Sequence, residues 1–232
     1  MHETSSLYKR LFSGTHRLET RVEIGGVDYG ENVLMSVVTT RQVFSNDKPQ
    51  VGCCVAGEID LEMLKPAEAL PRMARIVPYV RLTDGVECSE WIQKGVFYVD
   101  TRSNNKDDSG TEILSLHGYD AMLKAEQDYT GSNLAWPNTD INVVQDIARI
   151  MGTGLEAETA AKLNMAYTLQ LPSGYACREV LGYIAAMYAG CFIMSDLGEL
   201  KLVQLNGIPK ETNYLIDRGG YAITFGRTRI LV

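Results

Sequence analysis

Groups able to move protons, attack carbonyls or hold metals are sparse in this 232-residue chain. Its three histidines are His2, His16 and His117. No HExxH, GxSxG, GxGxxG or Walker sequence occurs, so zinc proteolysis, serine-hydrolase chemistry and nucleotide binding have no motif to rest on. A cysteine nucleophile would have to recruit His117, which falls at the end of an expected strand. The commoner role for such an imidazole is structural and hydrogen-bonded. The cysteines are Cys53, Cys54, Cys88, Cys177 and Cys191. They contain no CxxC and one adjacent pair, which suggests neither a zinc site nor a disulfide framework. They read as reduced, mostly buried thiols, with Cys53 and Cys54 in different environments because adjacent strand residues point to opposite faces.

One charged pattern has geometry behind it. In EIDLEM, Glu58, Asp60 and Glu62 alternate with Ile59, Leu61 and Met63. On a strand the carboxylates share one face and the apolar groups pack on the other. Three readings are open: an ordinary solvated strand face, a calcium site, or an acidic wall along a channel through which DNA slides without sticking. The Asp/Asn/Gly loop pattern of calcium sites is missing. Trp91, Trp136, Tyr119 and Tyr129 have no basic residues interleaved among them, and they read as core or interface anchors rather than a base-stacking platform.

An apolar share of 45% and a charged share of 22% indicate a soluble, folded protein. The net charge of −7 argues against gripping nucleic acid through its phosphates. It is spread evenly, −4 over residues 1–116 and −3 over 117–232, so neither half is an arm or tail. No apolar run approaches the roughly 18–20 residues that cross a bilayer. The start, MHETSSLYKR, lacks the apolar stretch of a secretory signal.

The elements that must position these groups change character along the chain. RLETRVEIGGVDYG alternates Leu18, Val22 and Ile24 with polar partners and turns at Gly25-Gly26, a doublet suited to the positive φ of a tight hairpin. VLMSVVTTRQVF, VGCCVAGEIDLEM, ARIVPYVRL, CSEWIQ, GVFYVDTR and EILSLHG follow as expected strands. Pro78 inside its run suggests an edge strand or a bulge. Frequent turns between these strands suggest a barrel or sandwich-like sheet. From Tyr119 the pattern turns helical. YDAMLKAEQDY is an expected short helix capped by Asp120, and DINVVQDIARIMG a longer one, capped by Asp140 and ended by Gly152. Val180, Leu181, Ile184, Met187 and Tyr188 define a third, from Cys177 to Tyr188 and closed by Gly190. CFIMSDLGELKLVQL reads as strand, Asp-Leu-Gly turn, strand. The tail YAITFGRTRILV is strand-like and ends on Ile230, Leu231 and Val232, an apolar edge that is costly unless another strand pairs with it.

Taken in order, PRMARIVPYVRL, SEWIQKGVFYVDTR, LHGYDAMLKAEQDY, CREVLGYIAAMYAG and FIMSDLGELKLV resemble the tail-hub proteins of siphophages and prophages. That family is also labelled tail-associated or prophage endopeptidase tail proteins. The resemblance runs from about Arg21 to Leu205 and is most specific around YDAML and REVLGYIA. Such hubs are similar to the baseplate hub of contractile-tailed phages. They form trimers in which two tube-like barrel domains per subunit present a pseudo-sixfold ring to the tail tube, with smaller α+β domains attached. The resemblance therefore implies an α+β fold class: a tube-like β-barrel domain over residues 1–117, a small α+β domain over 118–206, and strands over 207–232 that start or complete a second tube-like barrel.

Two departures qualify the resemblance. The sequence stops where a second tube domain should be getting under way, which implies either a fragment or a second ring segment supplied by another polypeptide. Ala176 stands where relatives tend to have Ser or Thr, depriving Glu179 of a reciprocal capping partner. The endopeptidase label does not carry over, because lytic activity in such hubs usually lies in C-terminal extensions. The expected function is thus a non-enzymatic tail-tip protein that closes the tail tube, adapts sixfold to threefold symmetry and forms part of the DNA-ejection conduit, with no cofactor and no metal. Its expected partners are copies of itself in a homotrimer, the distal tail and tail-tube proteins, the tape-measure protein and tip or fibre proteins. DNA would pass transiently without specific binding, and no membrane span is expected. The expected location is the virion tail tip, after assembly in the host cytoplasm. Glu58, Asp60 and Glu62 are its candidate lumen-facing carboxylates, and Ile230, Leu231 and Val232 its candidate intersubunit edge. The alternatives are a peptidoglycan-degrading tail enzyme, or a host-surface-binding module with exposed aromatics around Trp91 or Trp136.

Overall fold

The structure, a computed structural model, describes residues 4–46, 48–106, 109–164 and 167–205, and the short strands Thr224–Phe225 and Thr228–Arg229. The chain opens with α1 (Ser6–Phe12), where the Ser5 hydroxyl accepts the Tyr8 N–H at 3.0 Å. The strands β1 (Arg17–Ile24), β2 (Val27–Tyr29), β3 (Leu34–Thr40), β4 (Glu58–Leu64), β5 (Arg75–Thr83), β6 (Ile92–Gln93), β7 (Phe97–Lys106) and β8 (Glu112–Asp120) follow. They form one antiparallel sheet in the order β2-β1-β5-β7-β8-β4-β3, with β6 pairing on β5. Gly25 and Gly26 make the β1–β2 turn with φ of 59° and 89°, a region open to glycine at little cost.

Alternation sends every second side chain to one side. Val22, Ile24, Ile59, Leu61, Met63, Ile76, Phe97, Val99, Leu114 and Leu116 gather there into a single buried cluster. Side chains from opposite ends of the sheet, such as Tyr29 and Val37, pack on that same cluster, so the sheet curls around its own core. The connection between its two ends requires this. Tyr29 and Leu34 are five residues apart, so they lie within about 18 Å of each other. No ladder joins β2 to β3 among the described residues, and the sheet is not a closed barrel.

Pro78 departs from expectation, because β5 is an interior strand. It pairs with β1 along its whole length, Val22 opposite Pro78. On its other side β7 pairs only with Arg75 and Ile76, and β6 only with Tyr79 and Val80. The missing N–H of Pro78 falls in that gap, where the ladder has no acceptor to waste, while its carbonyl accepts the Lys94 N–H at 2.8 Å.

The second half comprises a 3₁₀ helix (Ala121–Glu126), β9 (Asn138–Thr139), α2 (Asp140–Met151), α3 (Ala157–Lys162), β10 (Thr168–Leu169), α4 (Cys177–Met187), β11 (Gly190–Met194) and β12 (Leu200–Gln204). Beyond it lie β13 (Thr224–Phe225) and β14 (Thr228–Arg229), an antiparallel pair. Val143, Val144, Ile147 and Met151 of α2, Val180, Leu181 and Ile184 of α4, and Phe192, Leu200 and Leu202 of the β11–β12 hairpin bury together. Gly152 ends α2 with φ 72°, as the sequence predicts. Asp140 is not the cap. Thr139 occupies that position, and the buried Asp140 carboxylate accepts the Tyr188 hydroxyl and the Ile141 N–H instead. α4 has half a capping box: Ala176 offers no acceptor, yet the Glu179 carboxylate accepts the Ala176 N–H at 2.8 Å. Ala189, with φ 50°, ends that helix rather than Gly190. Gly190 opens β11, where an added Cβ would stand 2.6 Å from the Val203 carbonyl oxygen.

The strand expected over VGCCVAGEIDLEM begins only at Glu58. Residues 51–57 leave the sheet and run beside β11, with Gly52 N–H donating to the Gly190 carbonyl at 2.8 Å and Phe192 N–H to the Cys53 carbonyl at 2.9 Å. Cys54 thereby enters the helical cluster. Among the described residues no helix is long and apolar enough to cross a membrane.

Candidate functional site

Register across β3, β4, β8 and β7 builds a polar face. Ser36, Glu62, Ser115 and Ser103 form one row, Val38, Asp60, His117 and Thr101 the next, and Thr40, Glu58, Tyr119 and Tyr98 the third. None of the twelve is buried, whereas Ile59, Leu61 and Met63, between the carboxylates, are at most 1% exposed. The alternation expected of EIDLEM holds, and its three carboxylates lie on the side of the sheet facing away from the core. These rows contain no Lys or Arg.

Asp60 stands opposite His117 and its Oδ1 lies 2.8 Å from His117 Nδ1, while Tyr119 packs edge-on against the imidazole at 4.8 Å. A shallow depression of about 230 Å³ opens beside them, lined also by Glu62, Thr101, Ser103, Ser115 and, as its one cation, Arg102. Among the described residues no hydroxyl is hydrogen-bonded to His117 Nε2, so the pair carries no attached nucleophile. Successive carboxylates on β4 are two residues, about 6.6 Å, apart along the strand. No three His, Cys, Asp or Glu side chains converge as a metal set among the described residues. The arrangement can present negative charge to whatever approaches, and a cross-strand hydrogen bond holds it in place.

The other sequence-derived candidates separate. Ile230, Leu231 and Val232 lie outside the described residues. The Trp91 ring has the Arg81 and Arg21 guanidinium groups 4.4 Å and 5.2 Å from its centroid. The Trp136 indole N–H is spent on the Gly131 carbonyl at 3.0 Å, and Tyr129 is buried beside it. Tyr175 and Tyr183, which the sequence did not single out, are exposed and pack edge-on at 5.5 Å.

Sequence reasoning also missed the joint between the two clusters. The buried Asp120 does more than start the 3₁₀ helix. One carboxylate oxygen accepts the Met122 N–H at 2.9 Å and the other the Gly57 N–H at 2.7 Å, clamping the entry of β4 to the exit of β8. Burial pushes its carboxyl up to about 6, against the pull of those N–H groups and of Arg41 and Arg178. Arg41 pairs with Asp196 in the β11–β12 turn and donates to the Lys94 carbonyl at 2.8 Å. Gln93 donates to the Asp196 carbonyl at 2.7 Å. The Arg41–Asp196 contact spans 155 residues, and no local pattern announces it.

The fold is similar to that of a solved prophage tail protein. The 43 kDa tail protein of prophage MuSo2 from Shewanella oneidensis superposes with a TM-score of 0.55 at 17% identity, covering 82% of this chain and 56% of that one. A tail protein from Neisseria meningitidis MC58 matches at 14% identity with a TM-score of 0.48, over 80% of this chain and 51% of its own. The chain thus spans little more than half the length of either structure. No protein-family profile and no curated protein matches it.

Proposed function

We propose that this chain is a structural, non-enzymatic protein of a phage or prophage tail, acting in the hub at the tail tip. The observation that carries the reading is the fold shared with the MuSo2 tail protein over 82% of the chain. Two features of the sheet fit it. β3, LMSVVTT, is an edge strand of seven residues with no charge and no proline, the devices that usually keep an edge from pairing with another chain. The neighbouring face displays Glu58, Asp60 and Glu62 in rows that themselves carry no Lys or Arg, with Arg102 and Lys124 only at their margin, so its net charge disfavours phosphate.

In this reading three copies form a ring that closes the tail tube and adapts sixfold to threefold symmetry. The acidic rows turn toward the conduit, and the curled sheets act as tube-like domains. Tube, tape-measure and fibre proteins are the neighbours. Native mass spectrometry of the full chain, followed by imaging of the assembly, tests this. Three copies about an axis are expected; a strict monomer at high concentration, or a ring with the acidic rows outside, overturns the hub assignment. No turnover of purified peptidoglycan is expected, and turnover abolished by His117→Ala would instead make the chain a wall-degrading enzyme.

A further inference from the structure

Cys54 and Phe192 form a parallel bridge and both point into the helical cluster. Side chains alternate along extended backbone, so the preceding residues, Cys53 and Cys191, both face the other way. Their sulfurs converge on one acceptor: Cys191 Sγ lies 3.0 Å, and Cys53 Sγ 3.6 Å, from the Gln50 carbonyl oxygen. Hydrogen-bonded extended segments lie about 4.8 Å apart, within the Cα separation of roughly 4.4–6.8 Å that a disulfide spans.

We propose that Cys53 and Cys191 are a redox pair whose disulfide fastens residues 51–57, and with them the start of β4, to β11. The inference stands independently of the tail reading. Cys53 lines a groove of about 620 Å³ between its own segment and α4, together with Val51, Gly182 and Tyr183, which gives a small oxidant a route in. The oxidant is a low-molecular-weight disulfide such as glutathione disulfide. The Cys53 thiolate attacks one of its sulfurs, forming a mixed disulfide and expelling one glutathione. The deprotonated Cys191 sulfur then attacks Cys53 Sγ and expels the second. Two protein thiols are oxidised, one small disulfide is reduced to two thiols, and those thiols end with the two protons. The remaining cysteines are placed differently: Cys54 and Cys177 point into the apolar cluster, and Cys88 is exposed after β5, beside Thr83. Burial raises the Cys191 thiol as it does Cys54 and Cys177, so position rather than acidity sets the pair apart.

The test uses the full chain, incubated with glutathione disulfide, denatured, alkylated and mapped by mass spectrometry without reduction. With Cys88→Ser as background, two of the four remaining thiols are expected to disappear into a Cys53–Cys191 peptide pair, reversibly with dithiothreitol. The melting temperature should rise by about 5–10 °C. Cys53→Ser and Cys191→Ser should each abolish the pair and the rise, whereas Cys54→Ser leaves the pair intact. Full alkylation of both Cys53 and Cys191 after oxidation overturns the proposal, as does a disulfide joining Cys53 to Cys54. Should a serine variant fail to fold, the peptide map of the Cys88→Ser protein decides alone.

Discussion

In the sheet, the buried residues stand two apart, Val22 and Ile24 on β1 or Ile59, Leu61 and Met63 on β4, and strands distant in sequence bring them together. In the second half, helices contribute residues three and four apart, Val143, Val144 and Ile147 or Val180, Leu181 and Ile184, and a hairpin closes over them. The two designs leave different surfaces. The sheet is a single curled layer with its outer face in solvent and an edge strand whose Met35 and Val38 are 55% and 50% exposed. The helical cluster is wrapped on several sides, and its central Phe192 is fully buried. The exposed apolar edge therefore lies on the sheet, while the second half is joined to it through residues 51–57.

Cutting a large side chain from each cluster should break them differently. Phe97→Ala and Phe192→Ala each remove a fully buried ring, and each should cost about 3–5 kcal/mol in urea denaturation. Hydrogen exchange separates them. Phe97→Ala should strip protection from β5, β7 and β8 while α2 and α4 keep theirs. Phe192→Ala should expose both halves, since its backbone holds Cys53 and its ring fills the helical core. Equal loss in α2 and α4 from Phe97→Ala would make the two clusters one cooperative unit.

Asp120 tests the joint at the next scale. Its folded-state pKa, about 6, lies above the ordinary 3.8, so the folded chain holds the proton more tightly. Stability from this group is present below about pH 4 and declines as pH rises toward 6, by up to about 3 kcal/mol. Asp120→Asn should remove that decline from chemical-denaturation curves collected between pH 4 and 7. An unchanged slope in the variant would assign the titration to other groups.

How much of this was legible follows from which forces are local. The alternation of EIDLEM, the Gly25-Gly26 turn, the Gly152 stop and the periodicity of α2 and α4 are set by neighbours within a turn or a strand. Pro78 was misplaced because its tolerance depends on where β6 and β7 part, which only the assembled sheet decides. Asp140 looked like a cap because its type suits one, and Tyr188, 48 residues away, claimed it. The outward carboxylates were readable from their spacing. The Arg41–Asp196 and Asp120–Gly57 contacts were not, since each joins residues far apart in the chain.

Gly52 and Gly182 sharpen the seam further. A Cβ at position 182 would stand 2.8 Å from the Gly52 carbonyl oxygen, so helix and segment approach as closely as they do only because both residues lack side chains. Gly182→Ala improves helix propensity by about 1 kcal/mol, yet the forced separation should outweigh it and leave a net loss of about 1–2 kcal/mol. Faster amide exchange at Gly52 and Phe192, with β1 and β5 unaffected, would locate the damage. A stabilised variant would mean that the seam is loose enough to accept a methyl group.

The smallest effect belongs to the acidic rows, and its smallness is informative. Combining Glu58→Gln, Asp60→Asn and Glu62→Gln removes three charges from partly or fully exposed positions without touching the buried alternates. The substitutions weaken the hydrogen bond between Asp60 and His117, but Asp60 is 61% exposed, where such pairs contribute about 0–1 kcal/mol. Relief of repulsion between successive carboxylates works in the opposite direction. The triple variant should therefore melt within a few degrees of the parent. Its retention on immobilised double-stranded DNA at low salt should rise, because the surface no longer repels phosphate, and the rise should vanish at high salt. A large drop in stability would show that the carboxylates hold the sheet together, and the contrast between a structural core and a free outer face would then fail where it is most exposed to test.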